Sequence, residues 1–305
     1  MAKGHEHPSD AAATQDRRYM ATALGLICCL MVGEVLAAAL SGSLALFADA
    51  GHLLTDVGAL AASLWAARLA ARPAKGIWTF GLKRAEILSA AVNGLSLAAI
   101  AVVIAVEATM RLLHPTRVDG LVVLVVALTG AMVDLAATLE LARASRTSLN
   151  VRGAFVHMVT DLYAFAGTAI AGLVIMLTGF RRADALASLV VVALMAKAAW
   201  CLLRDSGRVL LQGAPDRVDL GVVRSHLMEV EHVVGVHDLH AWTVTSGLPS
   251  LSAHVVVDDS CFATGHAPQI LDQLQACVGS HFEVEHATFQ LEPATHAGHE
   301  TGTHG

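Results

Sequence analysis

Six stretches of this chain, at about residues 19–40, 44–70, 86–113, 119–142, 153–178 and 183–203, are apolar over lengths that a soluble core rarely uses. A helix rising about 1.5 Å per residue needs about 20 apolar residues to cross a hydrocarbon core of roughly 30 Å. The pattern therefore predicts six transmembrane helices. Short polar breaks separate them, among them Ser41-Gly42-Ser43, His114-Pro115-Thr116 and the run from Gly179 to Arg182. Beyond Arg204 the pattern changes. Leu220, Val223, Leu227 and Val230 fall at helical spacing within Asp216 to Val230, and Ile270, Leu271, Leu274 and Val278 do the same within Ala267 to Val278. Val233 to Thr245 and Leu251 to Val257 are rich in β-branched residues and flank a Gly247-Leu248-Pro249-Ser250 turn, and Val284 to Leu291 reads as a third strand. The expected fold class is an α-helical membrane protein with six transmembrane helices followed by a C-terminal cytoplasmic α+β domain. The expected divisions are a flexible His-containing N-terminus at 1–18, the membrane domain at 19–203, the cytoplasmic domain at 204–292 and a flexible His-containing C-terminus at 293–305.

Composition supports that division and adds orientation. The chain is 55% hydrophobic and only 15% charged, too apolar to be soluble throughout. The first apolar stretch follows a polar, partly acidic leader and precedes no convincing cleavage site, so it reads as a retained helix. Arg17 and Arg18, the cluster Arg68, Arg72, Lys75, Lys83 and Arg84, the cluster Arg143, Arg146 and Arg152, and Arg204 with Arg208 all fall on one side of a six-span topology. Arg111, Arg117, Arg181 and Arg182 fall on the other. Excess Lys and Arg mark the cytoplasmic face, so both termini are expected in the cytoplasm and the protein in the inner, plasma membrane. The five cysteines form no C-x-x-C pair, which favours reduced structural thiols. Residues 204–305 hold 13 acidic and 4 basic residues, and 11 of the 16 histidines. An acidic tail attracts cations and excludes nucleic acid as a partner. No G-x-x-x-x-G-K-[ST] loop is present for an ATP-driven pump.

The chemistry concentrates in two of the apolar stretches. Asp49, His52 and Asp56 are three and four residues apart in the second, and His157 and Asp161 are four apart in the fifth, so each set occupies one helical stripe. The same H-x-x-x-D pair thus occurs on two helices. Ionisable groups at the bilayer centre cost about 2.5–3.5 kcal/mol each even on lenient scales, and they are usually functional. Two carboxylates and two neutral imidazoles carry a charge that cancels a dication, and two nitrogens with two oxygens suit tetrahedral Zn²⁺. His52, Asp56, His157 and Asp161 are therefore the expected transport ligands. A metal-free hydrogen-bonded network between helices is the competing explanation. Asp49 reads as an outer acceptor for His52, a helix-entry cap or part of an access path. Glu34, Asn93, Glu107, Asp134, Glu140 and Asp184 are further polar residues in or near the spans that could line a water-filled path, and none is assigned a metal.

Four segments carry a wider likeness: Ser41 to Asp56, Phe80 to Leu88, Asn150 to Asp161 and Val236 to Gly247. Together they resemble the cation diffusion facilitator family, nearest its zinc-type branch of bacterial zinc, cadmium and cobalt efflux transporters. The resemblance extends from the first span to about Glu292. It implies a homodimer that exchanges cytoplasmic metal for protons, with His52, Asp56, His157 and Asp161 as the site in each protomer, and His52 favouring zinc. It further implies that the tail is metallochaperone-like and binds regulatory Zn²⁺ near a dimer interface. Candidate ligands there are His237, His254 and His286, followed by His240 and Glu292. The 72–79 loop lacks the Asp/His cluster that some relatives use for an additional site.

Remaining histidines have simpler readings. His226, His232, His266 and His281 are expected on the tail surface, and His5, His7, His296, His299 and His304 in the ends. The function expected is a Zn²⁺/H⁺ antiporter in a lipid bilayer, not an enzyme, with no organic cofactor. Two alternatives are weaker: a membrane metal sensor without transport, and an intramembrane hydrolase, for which neither H-E-x-x-H nor a comparable catalytic set is present. Two tails of like charge repel, so bound dications are expected to favour their closure.

Overall fold

The computed structural model describes residues 8–41, 44–114, 120–144, 148–180, 182–216, 218–282, 284 and 286–297. It divides into two compact units, Met1–Ser206 and Gly207–Gly305.

The first unit is a bundle of long helices: α1 (Pro8–Ser41), α2 (Leu44–Ala70), α3 (Ala85–Leu113), α4 (Gly120–Ala142), α5 (Leu149–Thr178) and α6 (Ala183–Leu210). Among the described residues, four segments are long and apolar enough to cross a membrane by length and composition: Ala85–Leu113, Leu124–Ala142, Leu149–Thr178 and Ala183–Leu210. Their outward faces are apolar, with Leu95 59%, Val102 63% and Val106 61% exposed along α3 alone. A water-facing helix would place polar residues there. One expectation shifts: α1 starts at Pro8, so the leader taken as flexible up to residue 18 is helical over most of its length. Proline suits a first helical turn because its missing N–H needs no partner there.

Helix α4 packs on α5 and α1, α2 on α1, α3 and α5, and α3 on α5. Small residues allow close approaches. A Cβ on Gly130 of α4 would run into the Phe165 ring of α5, and one on Gly94 of α3 would sit 3.0 Å from Leu203 of α6. Polar pins fix the rotation of α2. Asn93 Nδ2 donates to Ser63 Oγ at 3.0 Å, and Asn150 Nδ2 donates to the Ser63 carbonyl at 2.7 Å, both buried. Ser63 lies two turns from Asp56 on the same helix, so these bonds also set where Asp56 points. Arg111 to Asp184 at 3.1 Å and Arg152 to Asp205 at 2.8 Å tie α3 and α5 to α6.

The second unit has its own core. Helix α7 (Leu220–Met228) is followed by β1 (Val233–Thr243), β2 (Pro249–Val257), a short α8 (Ser260–Thr264), α9 (Ala267–Phe282), β3 (His286–Pro293) and a short α10 (Ala294–Ala297). Asp219 caps α7 by accepting from the N–H groups of Gly221 and Val222. Val223 and Leu227 of α7 and Ile270, Leu274 and Val278 of α9 pack with Val236, Ala241, Leu251, Val255 and Val257 of the sheet. Each such side chain contributes about 1.5–3 kcal/mol when fully buried. The sheet order is β1-β2-β3. The first pair is the expected antiparallel hairpin, with Gly247 at φ +76° in its turn. β3 joins β2 in parallel, a pairing that needs the α8–α9 crossover between them. All five cysteines are free.

Candidate metal centres

In the bundle, α2 and α5 bring Asp56, His157 and Asp161 together, with one donor atom from each lying within 4.8 Å of the others. His157 Nε2 stands 3.1 Å from Asp56 Oδ1 and 3.5 Å from Asp161 Oδ2. All three side chains are buried, at 5%, 4% and 7% exposure respectively. Donors held about 2.1 Å from a tetrahedral ion stand about 3.4 Å apart, so these spacings are compatible with a tetrahedral ion as well as with direct hydrogen bonding. The helical repeat explains the Asp161–His157 pairing, since residues four apart share a face. His52 lies on α2 one turn before Asp56, and its side chain, like those of Asp49 and Glu34, falls outside the described residues.

The other intramembrane polar residues mostly have structural partners. Asn93 bonds Ser63, Glu107 and Asp184 both meet Arg111, and Glu140 pairs with Arg143 at 2.9 Å. Asp134 of α4 differs. It is buried, and the groups acting on it electrostatically are Asp161, Asp56 and His157. A lone aspartate without a matching histidine gave no signal of this in the sequence.

In the tail, His237, His254 and Glu292 form a second group, again with donors within 4.8 Å of one another. The sheet register builds it. His237 of β1 pairs with His254 of β2, which pairs with Gln290 of β3, and Glu292 lies two residues further along the same face. The two imidazoles meet edge-on with centroids 5.1 Å apart. Glu292 is only 1% exposed. Its Oε1 lies 2.8 Å from His254 Nδ1 and accepts from Gln290 Nε2 at 2.7 Å, and its Oε2 lies 3.4 Å from His237 Nε2. A buried carboxylate facing two imidazoles from separate strands fits a dication, which would supply the positive charge that burial demands.

The other two tail candidates lie outside this group. His286 is on the same face of β3 as Glu292 but six residues earlier, about 20 Å away along an extended strand, and it is exposed. Among the described residues, Glu292 and not His286 faces His237 and His254. His240 is separated from His237 by a register shift in β1, where Asp238 adopts φ +46°. It is exposed, with Nε2 4.0 Å from Asp238 Oδ1. Asp238 Oδ2 in turn lies 3.3 Å from His237 Nδ1, an outer partner that the sequence reading did not single out. Gln290 is a second such partner. Their signals were present only as neighbours of the histidine motif and of Glu292.

Comparison with known proteins gives the same division. Residues 20–211 match the cation efflux transmembrane domain, and residues 215–294 match the cytoplasmic domain of cation efflux proteins. The metal cation efflux system protein CzcD of Cupriavidus metallidurans is 36% identical over 294 residues, covering 96% of this chain and 91% of that protein. The zinc transporter ZitB of Escherichia coli is 36% identical over 295 residues, covering 96% and 93%. The cadmium, cobalt and zinc/H(+)-K(+) antiporter of Bacillus subtilis is 33% identical, with the same coverage. With both domains matched in order and relatives aligned along nearly the whole length, the chain belongs to the cation efflux family of membrane transporters.

Proposed function

We propose that this divalent metal efflux transporter exports cytoplasmic Zn²⁺ in exchange for protons, with His52, Asp56, His157 and Asp161 as the ligands that carry the ion across. The observation that carries this reading is the buried meeting of Asp56, His157 and Asp161 from two helices, at donor spacings suited to zinc. His52 completes the set by its place one turn before Asp56. The names of the similar proteins point the same way, since they include a zinc transporter and an antiporter that uses protons.

Exchange follows from the ligand chemistry. A metal ion needs neutral imidazole and ionised carboxylate, so protons and the dication compete for the same atoms. His157 and His52 are therefore places of that competition alongside the two carboxylates. The ion enters from the cytoplasm, the helices rearrange to open the site outward, and protons arriving there displace it. Asn93 and Asn150, gripping Ser63, keep α2 in register with α3 and α5 through that change.

The remaining features fit an inner-membrane protein with six spans, both termini cytoplasmic, working as a homodimer. In the tail, His237, His254 and Glu292 would hold a regulatory Zn²⁺, its charge offsetting repulsion between two acidic domains. The reading is tested by zinc uptake into inverted vesicles. Uptake is expected to fall sharply when an ionophore collapses the pH gradient, and uptake unaltered by the ionophore would refute proton coupling.

A further inference from the structure

Polar side chains buried in an apolar bundle need partners, because an unmade hydrogen bond there costs about 1–3 kcal/mol. Asp134 on α4 is 6% exposed, and its Oδ2 has no hydrogen-bond partner among the described residues. No described Lys or Arg forms an ion pair with it, in contrast to Glu107, Glu140, Asp184 and Asp205. The ionisable groups that act on it are Asp161, Asp56 and His157.

Helix packing gives the same placement independently. The α4 and α5 helices are consecutive and packed along their length, hence antiparallel, and Gly130 lies directly against the Phe165 ring. One turn along α4 from Gly130 is Asp134, and one turn back along α5 from Phe165 is Asp161. The two carboxylates therefore sit at one level of the bundle, with Asp134 just outside the group of donors within 4.8 Å formed by Asp56, His157 and Asp161.

We propose that Asp134 is a third carboxylate of the cation site, an oxygen donor from α4 that meets the dication together with Asp56, His157 and Asp161. The orphan Oδ2 gains in the ion the partner that the protein does not supply. A third oxygen lets the site hold ions that take five or six ligands as well as tetrahedral zinc. This inference rests on the transport-site reading above.

The test is zinc and cobalt uptake by the full-length protein in proteoliposomes, comparing wild type with Asp134→Asn, Asp134→Ser and Asp134→Glu. Both neutral variants are expected to raise the zinc KM about 10–100-fold, and the cobalt KM further, while Asp134→Glu recovers most of the loss. Size-exclusion elution and helical content identify which variants are folded, and any one folded neutral variant decides the outcome. A zinc KM within about twofold of wild type in a folded neutral variant overturns the proposal. Asp161→Ala, assayed alongside, separates the two readings. If Asp161→Ala abolishes flux while Asp134→Asn leaves KM unchanged, Asp134 alone is excluded; if Asp161→Ala transports normally, the site itself is wrong.

Discussion

Replacing Glu292 by Gln keeps the shape of the tail site and removes its negative charge. In the metal-free domain the change is modest, since His254 and Gln290 still face an amide of the same size. Charge-assisted hydrogen bonds of about 1.5–3 kcal/mol become neutral ones of about 0.5–1.5 kcal/mol. The effect on metal is larger, because one of three converging donors loses its charge. At free zinc of about 100 times Kd, binding stabilises the wild-type domain by about 2.7 kcal/mol. A tenfold loss of affinity leaves about 1.4 kcal/mol at the same zinc concentration, and a hundredfold loss about 0.4 kcal/mol. For a unit of this size, 1 kcal/mol corresponds to about 4–8 °C in Tm. The wild-type shift of about 10–20 °C should therefore fall by half or more in Glu292→Gln. The assay is thermal unfolding of residues 207–305, a unit with its own core, followed by circular dichroism with and without ZnCl₂. An equal zinc-induced shift in wild type and variant would refute the site.

Two further outcomes follow from the same geometry. His286→Ala should leave the zinc-induced shift of the tail unchanged, because the register keeps His286 far from Glu292; a loss matching that of Glu292→Gln would contradict this separation. Gly81→Ala should destabilise the full-length protein by about 1–3 kcal/mol in a thermal melt in detergent, because φ is +68° and the added Cβ meets the Arg72 carbonyl oxygen at 2.9 Å. Gly76→Ala, with φ +60° and open space around the new Cβ, should cost less, and equal losses would refute the steric part of the argument.

The meeting of Asp56, His157 and Asp161 was legible in the sequence because an α-helix converts a four-residue spacing into a shared face, and the H-x-x-x-D pair occurs twice. What the sequence withheld was everything that depends on which helices touch. Asp134 is a single residue with no periodic partner, and only the Gly130–Phe165 approach brings it level with Asp161. The tail shows the same limit in a sheet. Alternation along β3 puts His286 and Glu292 on one face alike, so pattern could not rank them. Parallel pairing, with Gln290 opposite His254, decided for Glu292. The register shift that turns His240 away from His237 is likewise invisible in residue types, since it is a property of the β1–β2 ladder. The start of α1 at Pro8 was missed for a different reason: hydropathy marks where a helix enters lipid, and it is silent on how far the helix continues into water.

The central claim is that Asp56 and Asp161, with His157 between them, hold the ion that is transported. Its most direct measurement is zinc flux in proteoliposomes imposed with a fixed pH gradient, comparing wild type, Asp56→Ala and Asp161→Ala at equal amounts of folded protein. Each substitution removes a carboxylate from within 3.5 Å of His157 Nε2 and leaves the loaded site with uncompensated positive charge in a buried setting. Both variants should fall to the flux of protein-free vesicles. Flux equal to wild type in both variants would contradict the account.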